Sequence, residues 1–144
     1  MNSKYNQPLI LGAILSAIAA LLHLGCIIFG APWYRFLGAG EQMAQLAESG
    51  SSQPTIITLI ITSMLGIWSL YALSGAGVIR KLPLLRTGLC VITAIYLIRG
   101  TVFFPLMSYF PDNSPLFWII SSSICFFYGV VHLLGLRQVW HKLK

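Results

Sequence analysis

Four apolar blocks, residues 9–31, 55–79, 84–107 and 115–136, each reach the roughly 20 residues that carry an α-helix across a bilayer. In hydrocarbon every backbone N–H and C=O has to be satisfied within its own segment, so each block reads as a continuous helix and not as an open strand. The chain is 57 % hydrophobic and 8 % charged, whereas an ordinary soluble domain is about 25 % charged. These constraints predict an all-α membrane protein: a four-transmembrane-helix bundle forming a single domain over residues 1–144. No linker, charge run or internal repeat marks a second domain.

The net charge of +6 sorts by side of the membrane. Lys4 precedes the first block, Arg80, Lys81 and Arg86 sit between the second and third, and Arg137, Lys142 and Lys144 follow the fourth. In a four-span chain all of these share one side, while Arg35, Glu41, Glu48 and Asp112 occupy the other. The positive-inside rule therefore predicts that both termini are cytoplasmic in a bacterial inner membrane. Membrane lipids, not nucleic acid, are the expected partners of the basic ends. Lys4 and the small residues Ala17-Ile18-Ala19 resemble a signal peptide, but the first block runs past a signal core of about 7 to 15 residues. Its removal would also divide the basic loops between two faces, so the first span is expected to be retained. His23-Leu24-Gly25-Cys26 is a poor lipoprotein box, because His23 stands where an aliphatic residue is needed.

The connections are short. Arg80-Lys81-Leu82-Pro83 predicts a tight turn, its cations favoured by the dipole at the end of the second helix and Pro83 placed at the first position of the third. Ser114 is the expected N-cap of the fourth helix and Pro115 its first residue. Consecutive helices on either side of these turns should be antiparallel neighbours. The longest loop, residues 32–54, opens with Trp33, Tyr34 and Phe36, aromatics suited to the membrane interface. Within it Glu41–Glu48 predicts a short interfacial helix stopped by Gly50.

Helical phase groups the small and polar residues. Gly12, Ser16 and His23 share a side of the first helix, Thr55, Thr62, Gly66 and Ser69 line the second, and Ser121, Cys125, Tyr128, His132 and Gly135 recur along the fourth. Such stripes are packing seams where membrane helices approach closely, or the lining of a polar cavity. Depth distinguishes a set among them. His23 and Arg99 both lie about 12 Å below the same boundary at 1.5 Å of rise per residue, and Thr62 and Ser122 reach a similar level. With Tyr96 one turn away, His23, Thr62, Tyr96, Arg99 and Ser122 are the candidate ligand-binding residues.

Arg99 stands out because an arginine near a helix centre costs roughly 2.5 to 3.5 kcal/mol even on the permissive insertion scale. No Asp or Glu occurs in any span. One reading has it snorkel to lipid phosphate or pair with Glu41, Glu48 or Asp112 from the loops. The other makes it the recognition group for an anionic ligand or lipid head group. A bis-imidazole haem between His23 and His132 is opposed by geometry, since antiparallel helices leave the two roughly 12 to 15 Å apart along the membrane normal. His141 is no better placed. Cys26, Cys90 and Cys125 are isolated and form no C-x-x-C pair. No phosphate loop, catalytic carboxylate pair or serine triad is present, and Gly75-Ala76-Gly77 reads as a packing or helix-end feature. Neither a cofactor, a metal nor a catalytic residue is expected.

Taken together, Gly30-Ala31-Pro32-Trp33-Tyr34-Arg35, Gly38-Ala39-Gly40-Glu41, Tyr71-Ala72-Leu73-Ser74-Gly75-Ala76-Gly77, Leu82-Pro83-Leu84-Leu85-Arg86 and Tyr96-Leu97-Ile98-Arg99-Gly100 resemble small four-span inner-membrane proteins of proteobacteria. The resemblance implies location and architecture but no activity. The chain also looks superficially like sterol-isomerase-like four-span proteins, whose chemistry would need the intramembrane acids that are missing here. The expected function is binding of a lipid, small molecule or membrane-protein partner, the last including a second copy of the chain. The alternative is transport of a small solute or ion past Arg99 and His23, ahead of a membrane enzyme or haem protein.

Overall fold

A computed structural model of the chain describes residues 4–109 and 113–143. The elements are α1 (Gln7–Phe29), α2 (Ala31–Phe36), α3 (Glu41–Glu48), α4 (Gln53–Gly75), α5 (Leu85–Thr101), α6 (Phe103–Met107) and α7 (Pro115–Val139), closed by a 3₁₀ turn, Trp140–Lys142. No strand occurs among the described residues. Three helical segments, Gln7–Phe29, Gln53–Gly75 and Pro115–Lys142, are each long and apolar enough to cross a membrane, and α5 with the segment after it, bent by 62°, makes a fourth candidate. The protein is thus a helical integral membrane protein with three to four candidate spans.

Local chemistry starts several of these helices where the sequence predicts. The Ser114 hydroxyl accepts from the Phe117 N–H at 3.1 Å, with Pro115 at the head of α7. Glu41–Glu48 is helical and is followed by Gly50 at φ 76°, a left-handed conformation that glycine adopts without Cβ strain. Asn6 caps α1, its Oδ1 accepting from the Leu9 N–H at 2.9 Å.

Other boundaries differ from expectation. The chain leaves α4 at Gly75 and turns through Gly77 at φ 80°. Arg80 and Lys81 therefore lie beyond the last turn, where the helix dipole no longer acts on them appreciably. The Ser74 hydroxyl ties this loop by donating to the Arg80 carbonyl and accepting from the Leu82 N–H, both at 3.0 Å. Leu84 at φ 50° precedes α5, so Pro83 stands outside the helix and offers its carbonyl to Tyr71 Oη at 3.1 Å. The third apolar block is not one helix. It breaks at Val102, between α5 and α6. Thr101 Oγ1 donates back to the Leu97 carbonyl at 2.8 Å, and Pro105 has no N–H to offer Thr101, two features that bend helices.

Contacts at the ends set the directions of the long helices. The Asn6 N–H donates to the Ala76 carbonyl at 3.1 Å and its Nδ2 to Gln138 Oε1 at 2.8 Å, joining the start of α1 to the ends of α4 and α7. The Arg86 guanidinium lies 3.7 Å from the Trp140 ring centroid, which brings the start of α5 to the same place. The long helices therefore alternate in direction, and the two ends of the described chain, Lys4 and Leu143, share one end of the bundle, here the terminal end. The most extensive packing is α1 on α4 and α5 on α7, and the two pairs meet through α1 with α7 and α4 with α5.

Lipid tails are as apolar as leucine, so close packing holds such helices together in place of water exclusion. Buried clusters follow the axis from Leu9, Leu85, Leu89 and Leu136 at the terminal end, through Ala20, Leu65, Ile92 and Tyr96, to Cys26, Ala31, Tyr34 and Ala44 at the loop end. The buried face of α4 carries Thr58, Leu65, Ser69 and Ala72, while Thr55 is exposed and Gly66 meets no close neighbour. The expected α4 stripe is thus rotated about the helix axis. At the loop end Tyr34 is only 2 % exposed, its Oη 3.1 Å from Thr58 Oγ1, so it packs inward; Phe36, at 83 % exposure, remains outside.

Candidate functional site

Arg99 lies half-buried in the last turn of α5, facing the first turns of α7. Its Nη1 donates to Ser122 Oγ at 2.9 Å and its Nη2 to Ser121 Oγ at 3.2 Å. The guanidinium carbon stands 4.8 Å from the centroid of the Trp118 ring. Residues three and four apart are neighbours on a helix, so Trp118, Ser121 and Ser122 present one surface of α7 to one side chain of α5. Hydroxyl oxygens solvate a guanidinium but do not neutralise it. Among the described residues no carboxylate lies within ion-pair distance of Arg99.

The carboxylates expected to serve it are engaged elsewhere. Arg35 in α2 donates from Nε and Nη2 to the two oxygens of Glu41, at 2.9 and 2.7 Å, and from Nη1 to Glu48 Oε1 at 2.6 Å. Glu41 and Glu48 share a face of α3, and the intervening turn, with Gly38 at φ 74° and Gly40 at φ 96°, folds that face back onto Arg35. The hydrogen bonds from Arg35 hold both carboxyl groups below the usual glutamate range. These groups clamp α2 to α3 and are not counter-ions of Arg99. Asp112 lies outside the described residues.

The other candidates are dispersed. His23 is half-buried, its Nδ1 2.7 Å from the Ala19 carbonyl of its own helix, and Thr62 donates to the Thr58 carbonyl at 2.8 Å. Tyr96 is buried one turn from Arg99, with its Oη 2.9 Å from Ser16 Oγ. The rings of Trp68, Tyr128 and His132 surround it at centroid distances of 5.0, 5.5 and 5.2 Å. Tyr96 thus belongs to a second polar cluster, in the interior of the bundle. Of the five candidates, the structure joins Arg99 and Ser122.

Sequence reasoning missed Ser121 and Trp118 as partners of Arg99, although their spacing from Ser122 carried the signal. It also missed Ser16 as the partner of Tyr96. His132 is fully buried, with Nδ1 2.8 Å from the Tyr128 carbonyl, and a Cβ at Gly12 would stand 2.7 Å from its Cε1. That contact makes the imidazole a spacer between α1 and α7. Among the described residues no three His, Cys, Asp or Glu side chains gather closely enough to hold a metal ion. No family model, curated protein or solved structure matches this chain.

Proposed function

We propose that this is a four-span inner-membrane protein, with both termini cytoplasmic, that binds the anionic group of a lipid or small molecule at Arg99. The observation that carries the reading is the coordination of Arg99 by two hydroxyls and an indole face, with no described carboxylate in the shell. A guanidinium has five N–H donors, of which two are used here, and the Ser122 hydroxyl that accepts from it retains a proton to donate, whereas Ser121 donates its own to the Trp118 carbonyl at 3.5 Å. An incoming phosphate or carboxylate would meet a positive charge with further hydrogen-bond donors beside it, partly removed from water.

The test compares wild type, Arg99→Lys and Arg99→Ala in one detergent by native mass spectrometry of co-purified and added anionic lipid. Arg99→Ala should retain at least about tenfold less, and Arg99→Lys should fail as well, because an ammonium lacks the planar fork. Equal retention by all three proteins would reduce Arg99 to an interfacial anchor.

The orientation rests on charge. Lys4, Arg80, Lys81, Arg86, Arg137 and Lys142 belong to the terminal end, whereas Glu41 and Glu48 belong to the loop end, and positive residues are retained in the cytoplasm. The resemblance to proteobacterial inner-membrane proteins supports the same placement. A C-terminal green fluorescent fusion should fluoresce and a C-terminal alkaline phosphatase fusion should be inactive; the reverse pattern would overturn the orientation.

A further inference from the structure

His132 stands where the two closely packed helix pairs meet. α1 packs chiefly on α4 and α5 chiefly on α7, and His132 of α7 is a contact from one pair to the other. Gly12 of α1 covers an edge of its ring, so that a Cβ there would stand 2.7 Å from Cε1 and 3.1 Å from Nε2. A carbonyl oxygen only accepts, so the bond of 2.8 Å to Tyr128 fixes the hydrogen on Nδ1 and leaves Nε2 as a bare lone pair. The side chain is fully buried, and Nε2 has no hydrogen-bond partner among the described residues. Buried polar groups are nearly always paired, so an unpaired one inside a span calls for a reason.

We propose that Nε2 of His132 is a proton-binding site inside the bundle, and that proton uptake there parts the α1–α4 pair from the α5–α7 pair. An imidazolium would carry a charge and an N–H with no acceptor, a combination that a buried site bears only when paired. No Asp or Glu occurs in α1, α4, α5 or α7 to pair it. Of the titratable groups, Tyr96 of α5 is in ring contact at 5.2 Å between centroids, and Tyr128 lies one turn away on α7. On α1 the nearest are His23 and Cys26, about three turns or more toward the loop end. On α4 there is Tyr71, its Oη held by the Pro83 carbonyl. The cations of α5, Arg86 and Arg99, are held near its two ends by Trp140 and by the α7 serines. The neutral ring therefore belongs to the closed seam, and the charged ring to one in which α1 has left the Nε2 edge and water reaches it. Linkage makes the two reciprocal: acid opens the seam, and opening the seam favours the proton. Arg99 and its serines lie within the α5–α7 pair, so this site can fail without the anion site and the reverse.

The test is solid-state NMR of the full chain in lipid bilayers, labelled with ¹³C and ¹⁵N at histidine and glycine and titrated from about pH 8 to about pH 5, the range in which imidazoles ordinarily change charge. The His132 signals are those that disappear in H132N, which keeps a donor for the Tyr128 carbonyl but cannot take up the proton. At the alkaline end Nε2 should be unprotonated and the through-space correlation between Gly12 Cα and the His132 ring intact. Toward the acid end Nε2 should protonate, and that correlation should fade over the same interval. Over this range the unfolding temperature of wild type should fall by about 4 °C or more beyond any fall in H132N. Gly12→Ala, which forces the seam apart, should raise the ratio of protonated to neutral His132 at about pH 6 by about tenfold, and it tests the coupling even if H132N does not fold. An Nε2 that stays unprotonated throughout, or one that protonates with the Gly12 correlation unchanged, would overturn the proposal. So would parallel stability profiles of wild type and H132N, or an unchanged ratio in Gly12→Ala.

Discussion

Gly100→Ala should lower the unfolding temperature of the detergent-solubilised protein sharply, at a cost of about 2 kcal/mol or more, because overpacking adds strain that a rigid seam cannot relieve. A Cβ at Gly100 would stand 2.6 Å from both Cα and N of Phe126. These are backbone atoms, so no rotamer change clears the clash, and α5 and α7 must separate. The same seam is closed one turn away, where a Cβ at Gly129 would stand 2.9 Å from the Leu97 backbone nitrogen. Gly66→Ala is the control. Nothing lies within 4 Å of its Cβ position, so the substitution should leave stability unchanged or add up to about 1 kcal/mol of helix propensity. Thermal unfolding of the two variants side by side checks the contrast. A Gly100→Ala protein as stable as wild type would mean that α5 and α7 do not approach this closely.

Asn6→Ala should be nearly as damaging, at about 2 to 3 kcal/mol, from the loss of an N-cap together with cross-helix hydrogen bonds. The Asn6 carbonyl oxygen caps α1 through Leu9, while its amide nitrogen donates to Gln138 Oε1 at 2.8 Å and to the Gly135 carbonyl at 3.4 Å. Asn6→Asp preserves the acceptor and deletes both donors, so it should fall between wild type and Asn6→Ala. Hydrogen exchange at the Leu9 and Ile10 amides, measured with thermal unfolding, separates the two contributions. Faster exchange there in Asn6→Ala than in Asn6→Asp is the expected order; identical behaviour of both variants would remove the cap from the account.

The legible parts of the fold were those settled within a few residues. Ser114 before Pro115 starts α7 because the cap bond spans three positions, and Glu41–Glu48 is helical up to a glycine stop. Hydropathy was misleading at two ends. Val78 and Ile79 extend the second apolar block past the real end of α4, and Phe103 and Phe104 extend the third past the break at Val102, since burial preference does not register where hydrogen bonding changes direction. Arg99 was conspicuous through its cost in hydrocarbon. Its partners were not, because whether it meets Glu41, Asp112 or the serines of α7 depends on how far each helix rotates about its own axis.

By itself the sequence determined that the chain is helical and membrane-embedded, that its described basic flanks gather at one end, and that Arg99 lacks an acid within the spans. These follow from apolar length and the positions of a few charges, which every fold of this chain must satisfy. Tertiary structure alone decided that Arg35 takes both Glu41 and Glu48, that two serines and an indole receive Arg99, and that Asn6 ties the start of α1 to the ends of α4 and α7. Those outcomes depend on rotation and register between segments distant in sequence, where backbone contact at glycine, and not hydropathy, sets the geometry.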